Sequence, residues 1–240
     1  MKNKIFIAFL LTLISVSNLN TAHAGYGGYA EGIGITVSLF KNRYSHYSSC
    51  CGTAITPKMV ITAGHCSIGS KYFVGLPDKS TYSTAKRVGV ASYQFIHISE
   101  PMSEAKIDVG IIYLKSPLSI PKVYIASLDQ LIEWAEEQKP ALVIGYGYDQ
   151  YTNKYSDALP SLLKGYVREY RGNITEIGFK PPVGICAGDS GGTAVVIDNN
   201  QIYYIGNISA GNTNACDPTW DKLEENKTIA YNWSYYKDNM

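Results

Sequence analysis

The segment Gly188-Asp189-Ser190-Gly191-Gly192-Thr193 places a serine between glycines, directly after an acidic residue. Glycine lets the backbone approach a substrate carbonyl closely, which a bulkier residue would prevent. A serine hydroxyl is a poor nucleophile at neutral pH, so it needs an adjacent base, and the base needs a carboxylate to orient it. The segment therefore predicts a nucleophilic serine on a tight turn, with a histidine and an acid elsewhere in the chain.

The order of residues along the chain restricts where such partners can lie. All four histidines precede Ser190, which excludes the order serine, acid, histidine of α/β-hydrolases. An order with aspartate first would need Asp78 before His97, and His97 lies in no recognisable motif. The order histidine, aspartate, serine remains. The histidines are His23, His46, His65 and His97.

His65 and Asp108 are the candidates for the base and the acid. His65 follows the apolar run at residues 59–63, so we expect it at the end of a strand, where a side chain is held firmly yet can face a cleft. Asp108 lies in the apolar segment 107–114, where a buried charge is costly unless it has a partner. The alternative for Asp108 is a strand-end carboxylate that faces water.

Short apolar runs separated by turn residues predict an all-β protein, built as barrels or as a sandwich. Residues 127–138 interrupt this pattern, because apolar residues at helical spacing follow a possible capping box of Ser127 and Gln130. This pattern predicts a short helix between two halves of the chain. We also expect a loop at residues 146–157 and a strand end or short helix at 229–238. The main predicted strands are residues 33–39, 51–55, 59–63, 85–93, 107–114, 141–145, 162–170, 174–179, 193–197 and 202–208.

Charge and the N-terminal segment bear on where the protein acts. A formal net charge of +1 gives no reason to expect a nucleic-acid partner. Residues 1–24 match a secretory signal peptide, with a basic start, an apolar run at 5–16 and the cleavage sequence Ala22-His23-Ala24. We expect the mature chain to begin at Gly25 and to be secreted, into the medium or the periplasm, without stable membrane insertion. The alternative is an uncleaved anchor.

The chain has five cysteines, and an exported protein is expected to form disulfides from them. An odd count leaves one thiol over. The alternative is a zinc site built from three cysteines and a histidine, but no familiar ligand spacing is present, so no metal is expected. The cysteines are Cys50, Cys51, Cys66, Cys186 and Cys216.

Three segments together resemble the catalytic motifs of trypsin/chymotrypsin-like serine proteases: Thr-Ala-Gly-His-Cys at 62–66, Asp-Val-Gly-Ile at 108–111 and Cys-Ala-Gly-Asp-Ser-Gly-Gly at 186–192. The resemblance implies two six-stranded antiparallel β-barrels with the active site in the cleft between them. Residues 25–126 would form the first barrel and 127–140 a connector. Residues 141–240 would form the second barrel and a C-terminal segment, which is a strand end or a further short helix.

The same resemblance implies a secreted serine endopeptidase that acts on protein or peptide substrates through an acyl-enzyme, without metal or organic cofactor. Ser190 would be the nucleophile, His65 the base and Asp108 the orienting acid. The N–H groups of Gly188 and Ser190 would bind the oxyanion. In typical members a new N-terminal ammonium, on an apolar residue followed by Val-Gly-Gly, pairs with the aspartate before the serine. This chain has no such apolar start, but Gly25-Tyr-Gly-Gly carries the paired glycines, so we expect Gly25, exposed by signal peptidase, to pair with Asp189. The alternative is another partner for Asp189.

The resemblance also implies a substrate pocket and a disulfide pattern. Residues that would line the pocket are Gly184, Ile185, Ser209 and Gly211. Trypsins have aspartate at the position of Gly184, so a preference for small or medium apolar residues is expected here rather than for Arg or Lys. The implied disulfides are Cys51–Cys66 and Cys186–Cys216, with Cys50 left over, either free or exchanging with Cys51. A monomer is expected, with a dimer linked through Cys50 as the alternative.

A function of a different class is a protease-like protein that binds without catalysis. Such proteins usually lose a member of the triad, whereas this chain keeps all three residues and the oxyanion glycines. The sequence therefore favours the enzyme.

Overall fold

The computed structural model describes residues 33–40, 50–67, 73–78, 81–98, 108–149, 154–155, 161–172, 174–179, 184–211 and 226–231. The predicted signal peptide at 1–24, Gly25 and residues 232–240 of the predicted C-terminal segment lie outside this part of the chain. No helix in the described part is long and apolar enough to cross a membrane.

The first half of the chain forms a closed six-stranded barrel in the order β1-β2-β3-β6-β5-β4. Alternate side chains fill its interior, among them Val37, Leu39, Val60 and Ile112. A four-residue helical turn, α1 (Gly64–Ser67), follows the third strand. The strands are β1 (Thr36–Phe40), β2 (Cys50–Thr56), β3 (Met59–Thr62), β4 (Phe73–Asp78), β5 (Thr81–Ile98) and β6 (Asp108–Leu114).

The connection between the halves contains a short strand, β7 (Val123–Ile125), and the helix α2 (Leu128–Glu136). Ser127 caps the helix, and the reciprocal hydrogen bonds between Ser127 and Gln130 confirm the predicted capping box. The helix buries Leu131 and Trp134 against the second half. The predicted connecting helix is therefore confirmed, within two residues at its ends.

The second half forms another ring of six antiparallel strands, in the order β13-β8-β11-β12-β15-β14, and pairing of β13 with β14 closes it. The short strand β7 adds to β14 in parallel, and β9 pairs with β10 in the segment expected as a loop. The predicted double-barrel fold is confirmed. The strands are β8 (Pro140–Gly145), β9 (Tyr148–Asp149), β10 (Lys154–Tyr155), β11 (Ser161–Arg171), β12 (Ile174–Phe179), β13 (Thr193–Asp198), β14 (Gln201–Gly211) and β15 (Asn226–Tyr231).

Buried hydroxyl groups join the two barrels. Thr193 at the start of β13 is hydrogen-bonded to Thr36 of β1 and to Thr53 of β2, with 2.8 Å between oxygens in both cases. All three side chains are buried, so each hydroxyl meets a partner instead of water. These hydrogen bonds fix the two barrels to each other at the junction where the candidate site lies.

The disulfide pattern differs from the expected one. Cys50, not Cys51, is bonded to Cys66, so the predicted Cys51–Cys66 disulfide is wrong. Successive residues of a strand face opposite sides. Cys50 points into the interior of the first barrel, where Cys66 also lies, whereas Cys51 faces the second barrel beside Tyr146.

The bonding state of the other cysteines follows from the Cys50–Cys66 disulfide. Cys50 has no thiol with which to link two chains, so the dimer through Cys50 is excluded. Among the described cysteines the free thiol is that of Cys51, which is buried and 0% exposed. Burial is the main cause that raises the pKa of the Cys51 thiol well above its usual value, and the nearby Asp189 carboxyl adds to the effect. The thiol therefore stays protonated and unreactive. Cys186 is disulfide-bonded, and Cys216, its predicted partner, lies outside the described residues.

Candidate active site

His65 and Asp108 meet at the edge of the first barrel. Antiparallel pairing of β3 with β6 places Thr62 opposite Gly110, so the turn that follows β3 lies beside the start of β6. The expectation that His65 lies at the end of a strand is wrong, because the residue lies in this helical turn. Its Nδ1 lies 2.7 Å from Asp108 Oδ2, and its backbone N–H donates to Asp108 Oδ1 at 2.8 Å. The carboxylate thus holds both the ring and the backbone of the histidine.

Asp108 is held from the second barrel as well. Ser209 Oγ of β14 donates to Asp108 Oδ2 at 2.5 Å. Burial raises the pKa of Asp108, but hydrogen bonds from His65 and Ser209 outweigh that effect and keep the pKa below its ordinary value. The Asp108 side chain is 17% exposed and that of His65 is 44% exposed. The pair therefore has a shielded, ionised carboxylate and a histidine that faces solvent.

Ser190 lies on a turn shaped by glycines. Gly188 and Gly191 have φ angles of +93° and +78°, a region that side chains with a Cβ rarely adopt. Gly191 donates to Ile208 O at 2.6 Å, and Cys51 donates to Ser190 O at 2.8 Å. The turn is therefore bonded to β14 behind it and to β2 of the first barrel in front. This brings the serine to the same junction as His65 and Asp108.

The backbone N–H groups of this turn divide into two sets. Those of Asp189, Gly191 and Gly192 donate to backbone carbonyls. Those of Gly188 and Ser190 donate to no acceptor in the described part of the chain. Two unpaired N–H groups beside a serine hydroxyl are suited to bind an anionic oxygen.

The Asp189 side chain turns away from Ser190 and is buried beneath the turn, 1% exposed. Its carboxylate accepts hydrogen bonds from the N–H groups of Gly147 at 2.7 Å and Cys186 at 2.8 Å. Burial raises its pKa to about 6, although these two hydrogen bonds oppose the shift. No cation among the described residues contacts it, and its predicted partner Gly25 lies outside them.

The residues expected to line a substrate pocket lie on two neighbouring segments. Gly184 and Ile185 precede the serine turn and are buried, with Ile185 packed against the core of the second barrel. Ser209 and Gly211 are half-buried at the end of β14. The hydroxyl of Ser209 is engaged by Asp108, so only its backbone remains available to pair with a substrate.

The contributions of two residues near the site were not predicted from the sequence. The Cys51 thiol donates to Gly188 O at 3.1 Å and accepts from the Tyr146 N–H at 3.2 Å, so it supports the turn from the first barrel. Asn207 of β14 donates to Asp108 O at 3.3 Å. The only signal for Asn207 in the sequence is one polar residue within the apolar run Ile205 to Ile208, which does not identify its partner.

The ligand atoms of Cys50, His65 and Cys66 lie within 4.8 Å of one another. Both sulfur atoms belong to the disulfide, and metals bind thiolates, not disulfide sulfur. In this oxidised form the cluster offers only the histidine as a ligand.

Two closed antiparallel barrels, with these side chains at their junction, define a protein of the trypsin-like double-barrel class. The Trypsin family model matches residues 29–220, and the chain belongs to this family of serine proteases.

Proposed function

We propose that the protein is a secreted serine endopeptidase in which Ser190, His65 and Asp108 form the catalytic triad. The observation that carries this proposal is the hydrogen-bonded pair of His65 Nδ1 and Asp108 Oδ2 at the junction that also holds the Ser190 turn. Since Nδ1 is held by the carboxylate, Nε2 is the ring atom left to take a proton from the serine.

The reaction would proceed through an acyl-enzyme. Ser190 Oγ attacks the peptide carbonyl while His65 accepts its proton, and Asp108 stabilises the imidazolium that forms. The oxyanion binds the N–H groups of Gly188 and Ser190, which have no other acceptor in the described part of the chain. His65 then gives the proton to the leaving amine, and water releases the acyl group by the same route.

Specificity for small or medium apolar side chains is part of the proposal. Gly184 carries no charge to pair with Arg or Lys, and the buried Ile185 beside it is apolar. None of the described residues expected to line the pocket carries a charge, so a basic side chain would find no charged partner among them, which is costly.

A fluorophosphonate probe tests the activity directly, because it reacts only with a serine activated by its base. We expect protein that begins at Gly25 to be labelled on Ser190, as identified by peptide mapping, and the Ser190→Ala variant to remain unlabelled. Heat-denatured protein serves as a second control. If the folded protein with an authentic N-terminus is not labelled, the catalytic proposal fails. The result would then favour the alternative, a protease-like protein that binds without catalysis.

Pairing of the Gly25 ammonium with Asp189 has a pH dependence of its own. Without a cation, Asp189 has a folded pKa of about 6 against an ordinary 3.8. Folding is therefore favoured by protonated Asp189 at low pH, and this contribution, of order 3 kcal/mol, is lost as pH rises through about 6. An ammonium beside the carboxylate would lower its pKa and prevent that loss.

We therefore expect protein that begins at Gly25 to be more stable and more active near pH 7 than protein extended by Ala24. The difference in unfolding free energy should shrink as pH falls below about 6 and vanish once Asp189 is protonated in both forms. Denaturant titration at several pH values measures it. The control is Asp189→Asn in both forms, for which no difference should remain at any pH. Equal stability and activity of the two unmodified forms at pH 7 would show that Asp189 has another partner.

A further inference from the structure

Asn207 is a fully buried polar residue at the junction of the barrels, 0% exposed. Its Nδ2 donates to the backbone carbonyl of Asp108 at 3.3 Å, and its Oδ1 accepts from Tyr204 Oη at 3.4 Å. A carbonyl can only accept a hydrogen bond, so the amino end of the amide must face Asp108. The chain of donors therefore runs in one direction, from Tyr204 through Asn207 to Asp108.

Two side chains of β14 reach the same aspartate. The strand is irregular between Ile208 and Ala210, where Ser209 is an extra residue relative to β15. Ser209 donates to the Asp108 carboxylate, and Asn207 donates to the Asp108 backbone. The second barrel thus holds both ends of the residue that positions His65.

Tyr204 reaches Asn207 because the strand is irregular between them. Residues three apart in a regular strand face opposite sides. The register of β14 against β13 shifts here, since Ala194 lies opposite Gly206 while Val195 lies opposite Tyr204. This extra residue, a β-bulge, turns the fully buried tyrosine back towards Asn207.

We propose that Asn207 is a positioning residue, which sets the place of Asp108 relative to His65 through the backbone of β6. This inference rests on the proposed triad. An apolar side chain of similar size would fill the same space, but it would leave the Asp108 carbonyl without this donor. Asp108 is the first residue of β6, where few ladder bonds fix the backbone, so loss of the donor lets the carboxylate shift away from the imidazole.

The test is Asn207→Leu, which keeps the volume and removes the amide. We expect kcat to fall about ten-fold with KM little changed, because small displacements of a catalytic group are costly. We also expect the downfield proton resonance of the hydrogen bond between His65 Nδ1 and Asp108 to move or broaden. The matched control is Thr175→Val, which removes another buried hydrogen bond to β14, from Thr175 Oγ1 to Ile205 O, without touching Asp108.

The readouts separate a positioning role from a structural one. If Asn207→Leu loses only as much stability as Thr175→Val, with kcat and the resonance unchanged, the inference is wrong. If Asn207→Leu does not fold, Tyr204→Phe is the test, because it removes only the hydroxyl that orients the amide. We expect a smaller shift of the same proton resonance, and an unchanged resonance would overturn the inference. The resonance requires no turnover, so absent activity in the unaltered protein would refute the proposed function without affecting this test.

Discussion

Replacing Asp108 with Asn is expected to lower kcat by about four orders of magnitude near neutral pH while the fold remains intact. The carboxylate accepts hydrogen bonds from the His65 ring, the His65 backbone and Ser209. An asparagine has one oxygen to accept them and an amino group that must face an acceptor. The amino group would donate to Nδ1, which moves the ring proton to Nε2, and the histidine could then no longer accept the proton of Ser190.

Steady-state hydrolysis of a peptide substrate and the rate of fluorophosphonate labelling measure this effect. The control is Asp129→Asn, because Asp129 is an exposed carboxylate in the first turn of α2, far from these contacts in sequence, and its loss should leave kcat unchanged. A kcat for Asp108→Asn within ten-fold of the unaltered enzyme would exclude Asp108 as the orienting acid.

Replacing Gly191 with Ala is expected to destabilise the fold by about 4 kcal/mol and to abolish labelling of Ser190. The φ angle of +78° costs a residue with a Cβ about 1 kcal/mol. The Cβ would also clash with Cys51 O and Thr62 Oγ1 of the first barrel, which lie far inside contact distance. Overpacking of this kind costs about 3 kcal/mol more, and it would push the serine turn away from His65.

Gly172→Ala is the matched control for backbone strain without the clash. Gly172 has a φ angle of +61°, and a Cβ there would meet no atom of the described residues within 4 Å. We expect it to lose about 1 kcal/mol and to keep full labelling. Denaturant unfolding of the two variants measures the difference, and equal losses would show that Gly191 is required only for its backbone conformation.

The local features of the protein were predictable because they depend on neighbours in the chain. Strand periodicity predicted most strands of both barrels, and the spacing of Ser127 and Gln130 predicted the start of α2. The helical turn at His65 and the short strands β7, β9 and β10 were missed. A turn of four residues or a strand of two or three carries too little pattern to be recognised.

The order of His65, Asp108 and Ser190 in the chain, with the glycines around the serine, was enough to identify the candidate triad. Those residue types leave few chemical alternatives once the order is known. In the structure, two hydrogen bonds join His65 to Asp108. The catalytic roles of these residues and of Ser190 are proposed. The predicted pairing of Cys51 with Cys66 shows the limit of motif reasoning, because adjacent cysteines differ by the face of β2 they occupy.

The amino-acid sequence by itself determined the strand-rich class, the connecting helix and the candidate catalytic residues, because short-range periodicity and residue chemistry carry that information. Only the tertiary structure decided which of Cys50 and Cys51 meets Cys66, that Asp189 is buried, and that Ser209 and Asn207 converge on Asp108. The physical reason is distance along the chain: Asn207 and Asp108 are 99 residues apart, and no local pattern specifies which side chains face each other when two barrels pack.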